Sequence, residues 1–109
     1  MLFICAEDFF NKALTAKRLS RQEEEDIFAR MRAGDTVARE QMIEGYLAVV
    51  AARIKRLPKD MQSLDLIYSC MQALERAVDQ FDFSQEGEPF THRLGLVIKR
   101  ELTRSIAKN

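Results

Sequence analysis

The chain has 109 residues, which is enough for one compact domain and too few for two. Nearly half of the residues are hydrophobic and about a third are charged, with 17 basic residues balancing 17 acidic ones. Two prolines, four glycines and no tryptophan argue against a disordered chain and against a turn-rich all-β fold.

The N-terminal third of the chain predicts two helices. The first covers about residues 6–17, and its apolar residues include Phe9, Phe10, Ala13 and Leu14. The second starts at Ser20, three residues before Glu23, so that each side chain can bind a backbone N–H of the other residue. Gly34 is placed to end this helix in a left-handed conformation, and Asp35 can then cap the next helix.

A third helix is predicted over about residues 36–57, where apolar residues recur at steps of four and three up to Pro58. They are Ile43, Leu47, Val50, Ile54 and Leu57. The fourth helix is capped by Ser63 and repeats the pattern with two adjacent apolar stripes. The stripes consist of Ile67, Met71, Leu74, Val78 and Phe81, and of Leu66, Cys70, Ala73 and Ala77. We therefore expect this helix to be the most buried.

The last helix is predicted to start near Phe90, after a loop over residues 83–89 that contains glycine and proline. Its inward residues recur at steps of four and are Leu94, Ile98, Leu102 and Ile106. No segment alternates between polar and apolar residues as a half-buried strand does. The sequence therefore predicts an all-α fold, a compact bundle of about five helices forming a single domain over residues 1–109.

Basic residues are concentrated in this last helix. After Phe90 there are five basic residues and one acid, Glu101, so the tail carries +4 and, because the total is zero, the rest carries −4. Arg93, Arg100 and Arg104 share one helical face, and guanidinium groups bind phosphates and base edges. The pattern favours an anion-binding face, while an ordinary solvated helix with cations near its C-terminus explains the same charges.

Residues for catalysis or metal binding are scarce. Cys5 and Cys70 form no CxxC pair, and His92 is the only histidine, so a zinc site is not expected. No serine or cysteine has a histidine base near it in sequence, and no Gly-rich phosphate loop is present. The first ten residues lack the basic start of a signal peptide, and no apolar run reaches about 20 residues. We expect a cytoplasmic protein that is not an enzyme, binds no cofactor and does not associate with a membrane.

Several motifs follow one another in a characteristic order. The matching residues are, in order, Gly34, Asp35, Ala38, Arg39, Glu40, the stretch DLIYSCMQALERAVDQFD that begins at Asp65, the pair Phe90 and Thr91, and the run IKRELTRSIA. With these motifs, residues from about 19 to 107 resemble region two of the bacterial RNA polymerase sigma factors, together with the short helical segment before it. The order and spacing carry the resemblance, since no single motif is decisive.

The resemblance implies that the fourth helix binds the clamp of core RNA polymerase. The residues expected in this contact are Asp65, Tyr68, Ser69, Met71 and Glu75. The family motif usually reads Asp-Leu-Ile-Gln-Glu-Gly-Asn, and its last four residues are replaced here by Tyr68, Ser69, Cys70 and Met71. Asp65 therefore keeps the family's contact, and the other contacts are expected to differ.

The resemblance also implies that the last helix contacts promoter DNA at the minus-ten element. The residues expected in this contact are Phe90, Arg93, Lys99, Arg100, Thr103 and Arg104. Family members stack aromatic residues on unpaired bases, but Arg93, Leu96 and Val97 stand where the family has one tyrosine and two tryptophans. Only Phe90 of that set remains, so this chain alone is not expected to open DNA.

Two functions stay open from the sequence. The first is a transcription-initiation module that binds core RNA polymerase and promoter DNA. In that case the family's upstream-element domain would come from a second protein, or from a longer chain of which this is a fragment. The second is an interaction module that docks on polymerase or another factor without reading a promoter.

Overall fold

The computed structural model describes residues 2–81 and 90–107, and within them the chain forms helices and no strand. The helices are α1 (Ala6–Thr15), α2 (Arg21–Arg32), α3 (Thr36–Gly45), α4 (Leu47–Ile54), α5 (Leu64–Gln80) and α6 (Phe90–Ala107), with a short 3-10 turn at Lys59–Met61. The predicted all-α fold is confirmed. The predicted loop over residues 83–89 lies outside the described residues.

Local side-chain caps start three of the helices as the sequence predicts. The Ser20 hydroxyl accepts from the Glu23 N–H at 3.2 Å, and the Glu23 carboxylate accepts from the Ser20 N–H at 3.1 Å. Gly34 follows α2 with a φ of 89°, in the region that favours glycine, and the Asp35 carboxylate accepts from the Val37 and Ala38 N–H groups in the first turn of α3. Ser63 caps α5 in the same way. These turns are therefore fixed by residues close in sequence.

The prediction of one helix over residues 36–57 is wrong, because the chain breaks at Tyr46 into α3 and α4. The apolar spacing nevertheless holds, since the four residues Ile43, Leu47, Val50 and Ile54 are all buried. Gly45 precedes the break, and a Cβ there would lie 2.5 Å from the Leu19 Cγ. A glycine therefore lets the segment before α2 approach α3 closely, a contact that helical periodicity does not reveal.

The centre of the bundle is α5, which packs against α1, α3, α4 and α6. Both of its predicted stripes are buried except Phe81, which is half-buried against the core. Phe9 and Ala13 of α1 are buried too, whereas Leu14 is 85% exposed. It lies one residue past Ala13, about 100° further round the helix.

The inward stripe of α6 is also shorter than predicted. Leu94 and Ile98 are fully buried, Leu102 is half-buried and Ile106 is 48% exposed. A step of four residues overshoots the 3.6-residue turn by about 40°, so a run of such steps rotates gradually off the core. The description of Ile106 as inward-facing is therefore wrong.

Within residues 2–81 and 90–107, each helix is too short or too polar to span a lipid bilayer.

Candidate functional site

Helix α6 presents a narrow buried side and a broad exposed side. Phe90, Leu94, Gly95 and Ile98 are its buried residues, and they face α4 and α5. A Cβ on Gly95 would lie 3.2 Å from a guanidinium nitrogen of Arg53, so this glycine lets α4 and its arginine lie close to α6. The remaining circumference of α6 is free to carry polar residues.

Three of the predicted contact residues come together on that exposed side. Arg93, Arg100 and Arg104 line a groove of about 250 Å³ between α5 and α6. Arg76 of α5 lines the same groove, over a floor formed by Ala73, Ala77, Phe81 and Val97. Arg76 could not be predicted from the sequence, because it belongs to another helix and its nearness to the α6 arginines depends on the fold. We call the set Arg76, Arg93, Arg100 and Arg104 the arginine groove.

The acid of the basic tail lies inside this groove. The Glu101 side chain is only 14% exposed, and its Oε1 lies 3.4 Å from an Arg76 nitrogen and 3.5 Å from an Arg104 nitrogen.

Burial, with a smaller effect of Glu101, raises the pKa of the Cys70 thiol to about 12. Cys70 is fully buried and therefore belongs to the core rather than to a reactive site.

Lys99 and Thr103 lie beside the arginine groove rather than in it. Both side chains are exposed, and the Thr103 hydroxyl donates to the Lys99 carbonyl at 2.8 Å. Its proton is therefore used within the helix, and its lone pairs are free to accept from a ligand. Thr103 is three residues from Arg100, close enough on a helix for both to reach one ligand.

Phe90, which was expected to contact DNA, is a core residue in the structure and is not exposed for stacking on a base. It is 4% exposed, and its ring packs edge-on against Tyr46 at 5.0 Å and against Phe81 at 5.3 Å between centroids. The Tyr46 hydroxyl bonds to Glu24 and, at 3.2 Å, to Thr91. Burial, followed by the Glu24 bond, raises the pKa of Tyr46. This cluster ties the start of α6 to α2 and to the α3–α4 break.

The predicted polymerase-contact residues of α5 divide in a similar way. Asp65 is exposed, and Tyr68, Ser69 and Glu75 are partly exposed on the same outward side of the helix. Met71 is 3% exposed and packs in the core, so its assignment as a contact residue is wrong. The physical reason is its spacing, since it stands four residues after the buried Ile67 and shares that inward face.

Two further contacts hold the outward side of α5 in place. Asp79 binds Arg39 of α3 through two hydrogen bonds of 2.6 and 2.9 Å, and the Arg39 guanidinium lowers the pKa of the Asp79 carboxyl. The Tyr68 hydroxyl accepts from the Phe3 N–H at 2.8 Å and donates to the Phe3 carbonyl at 3.0 Å. The segment before α1 therefore lies against α5 beside the exposed Asp65.

Comparison with known proteins confirms the resemblance seen in the sequence. The chain is similar to the RNA polymerase sigma factor SigA of Clostridium acetobutylicum, with 37% identity over 90 residues. The match covers 82% of this chain and 24% of that protein, so the chain spans about a quarter of the length of its curated relative. No protein-family model matches the chain. The chain contains a sigma-factor-like region.

Proposed function

We propose that this sigma-factor-like region is a non-catalytic transcription-initiation module, which docks on core RNA polymerase through α5 and contacts promoter DNA through α6. The observation that carries the proposal is the arginine groove, where three α6 residues of the predicted DNA-binding set lie on one exposed side. The match to a sigma factor over most of the chain supports the same function. A cytoplasmic location follows from this role.

The chemistry of the DNA contact follows from arginine itself. A guanidinium donates through a planar fork that fits phosphate oxygens, and in the major groove it fits the O6 and N7 of guanine. We propose that Arg93, Arg100 and Arg104 all contact backbone phosphates, that Arg100 and Thr103 lie nearest the bases, and that Lys99 adds charge at the side. Because Phe90 is buried, no phenylalanine, tyrosine or tryptophan on α6 is exposed for stacking. Binding should therefore be weak and sensitive to salt.

Docking on polymerase would use the outward side of α5. Asp65 is exposed there in the first turn of the helix, Ser69 and Glu75 are partly exposed, and Tyr68 is partly exposed with its hydroxyl bound to Phe3. The carboxylates of Asp65 and Glu75 suit a basic partner surface. The proposal therefore requires a basic surface on the polymerase clamp. The arginine groove borders the same helix, so a polymerase bound at α5 would lie close to DNA bound at α6.

A salt titration of fluorescence anisotropy on forked promoter DNA, with and without core polymerase, tests the proposal. Three phosphate contacts imply a log–log salt slope of about −3. The Arg100→Ala, Arg104→Ala double variant should bind more weakly, with a slope nearer −1. Arg56→Ala with Lys59→Ala removes the same charge at exposed positions outside the groove and is the matched control. Equal loss in both double variants would reject the arginine groove as the DNA contact.

The burial of Phe90 favours one alternative, an interaction module that binds polymerase or another factor without reading a promoter. A further protein that supplies upstream-element recognition would be compatible with either function. Capture of core polymerase by the purified chain, together with no difference in affinity between promoter and scrambled DNA, would favour this alternative. Promoter preference in the presence of polymerase would favour the initiation module.

A further inference from the structure

Glu101 occupies the position in the arginine groove where an anion would bind. Its carboxylate touches both Arg76 and Arg104, one from each wall of the groove. The carboxylate is nearly buried, whereas the arginine side chains are 56% and 62% exposed. The acid is therefore held by its helix, while the two guanidinium groups can turn outward towards solvent.

The contacts of Glu101 are loose for ion pairs. At 3.4 and 3.5 Å they are longer than the roughly 2.7–2.9 Å of a strong charge-assisted hydrogen bond. The Arg39–Asp79 pair provides a comparison within the same molecule, because its two bonds of 2.6 and 2.9 Å lock α3 to α5. Exposed pairs with poor geometry contribute little to stability. The two exposed arginines can therefore turn from Glu101 to a ligand that offers them shorter, better aligned hydrogen bonds.

We propose that Glu101 is an internal competitor for the arginine groove, which a phosphate of the nucleic-acid backbone displaces from Arg76 and Arg104. In the free protein the carboxylate satisfies both guanidinium groups. On binding, they turn to a phosphate oxygen and Glu101 stays behind, partly buried beside Cys70. This inference rests on the DNA contact proposed above and adds Arg76 and Glu101 to it.

An internal competitor would set the affinity of the groove. Without Glu101, four arginines would attract any polyanion, because cationic patches bind nucleic acid irrespective of sequence. With Glu101 in place, a ligand must offer a phosphate that reaches both walls, from Arg76 on α5 to Arg104 on α6. The acid therefore keeps non-specific binding low and selects for a backbone that follows the groove.

The test is a double-variant cycle on forked promoter DNA at about 100 mM salt, read by anisotropy. Glu101→Gln keeps the side-chain shape and should tighten DNA binding about fivefold. This factor corresponds to removing the attraction of one carboxylate for an arginine at contact distance in water. In an Arg76→Gln background the gain should fall to about twofold, because only Arg104 is then released. Glu7→Gln, an exposed change of the same charge on α1, is the control and should shift affinity less than twofold.

Each other result has a definite meaning. Equal tightening by Glu101→Gln and Glu7→Gln, or a gain unaffected by Arg76→Gln, would overturn the inference and leave the proposed DNA contact standing. Weaker binding by Glu101→Gln, together with a lower melting temperature, would make Glu101 a structural residue instead. Failure of every variant, including wild type with core polymerase, to bind DNA would remove both the proposed function and this inference.

Discussion

Helices α5 and α6 are nearly equal in length, with 17 and 18 residues, yet they differ in how much of their surface is buried against the rest of the protein. Eight residues of α5 are buried, and α5 packs against four other helices, whereas four residues of α6 are buried. The outward residues of α5 are also bound, Tyr68 by Phe3 and Asp79 by Arg39. Helix α5 therefore organises the fold, while α6 supplies an accessible, charged side.

The largest effect is expected in the core of α5. Leu74→Ala should destabilise the protein by about 2–5 kcal/mol, because Leu74 is fully buried at the centre of the bundle. Ile106→Ala on α6 removes a side chain of similar size that is 48% exposed and should cost well under 1 kcal/mol. Urea denaturation of both variants measures the difference. Equal losses would mean that the two helices do not differ as described.

The attachment of α6 to the rest of the bundle is the next target. Tyr46→Phe removes the hydroxyl that binds Glu24 and Thr91 and should cost about 0.5–1.5 kcal/mol, the usual contribution of a hydrogen bond. The Phe90 ring contact is kept, so the change isolates the polar link. Thermal melting of Tyr46→Phe and of Tyr68→Phe, which loses the hydrogen bonds to Phe3, compares what the two tyrosine hydroxyls contribute to stability. An unchanged melting temperature for Tyr46→Phe would assign the anchoring to ring packing alone.

The ion pair between Arg39 and Asp79 on the outward side of α5 predicts a smaller, pH-dependent effect on stability. The pKa of Asp79 is lowered by Arg39, so the pair stabilises the fold above the ordinary carboxyl pKa near 4, and this contribution is lost as the pH falls through the lowered value. The side chains are 32% and 50% exposed, which limits the contribution to about 0.5–1 kcal/mol. Asp79→Asn should therefore be less stable than wild type at pH 7, and the difference should shrink as the pH falls below the ordinary carboxyl range. A constant difference across that range would contradict the linkage.

The smallest effect on stability is expected at Asp65, which is exposed in the first turn of α5. Asp65→Ala should shift the unfolding free energy by no more than about 0.5 kcal/mol and still weaken capture of core polymerase in a pull-down. Asp60→Ala, an exposed acid in the 3-10 turn before α5, is the control. Unchanged capture by folded Asp65→Ala would place the docking surface elsewhere.

Features governed by neighbouring residues could be predicted from the sequence. The Ser20–Glu23 capping box and the Asp35 cap involve groups within three residues, and each occurs as expected. The break at Tyr46 could not be predicted, because apolar spacing of three and four continues unchanged through it. The approach of Leu19 to Gly45, just before the break, likewise depends on the tertiary arrangement.

The candidate site was predictable in part for the same reason. One helical face brings Arg93, Arg100 and Arg104 together, and periodicity alone places them. Arg76 and the inward position of Glu101 depend on how α5 packs against α6, so no pattern within either helix reveals them. A family resemblance transfers residue roles without their surroundings. It therefore gave no sign that Phe90 is buried, and it gave Met71 a contact role although the apolar spacing of α5 predicts that Met71 is buried.

The close approach at Gly45 has a consequence for how this chain can change over evolutionary time. Any side chain at position 45 would overlap the Leu19 side chain, with a Cβ only 2.5 Å from the Leu19 Cγ. Alanine would favour the helix by about 1 kcal/mol in an open setting, so steric exclusion opposes an otherwise favourable replacement. The two positions should therefore vary as a pair, with a larger residue at 45 tolerated only beside a smaller one at 19. Gly45→Ala alone should lower the stability of the protein, and adding Leu19→Ala should restore it. The two residues are 26 positions apart, so the apolar spacing of α3 gives no sign of this coupling.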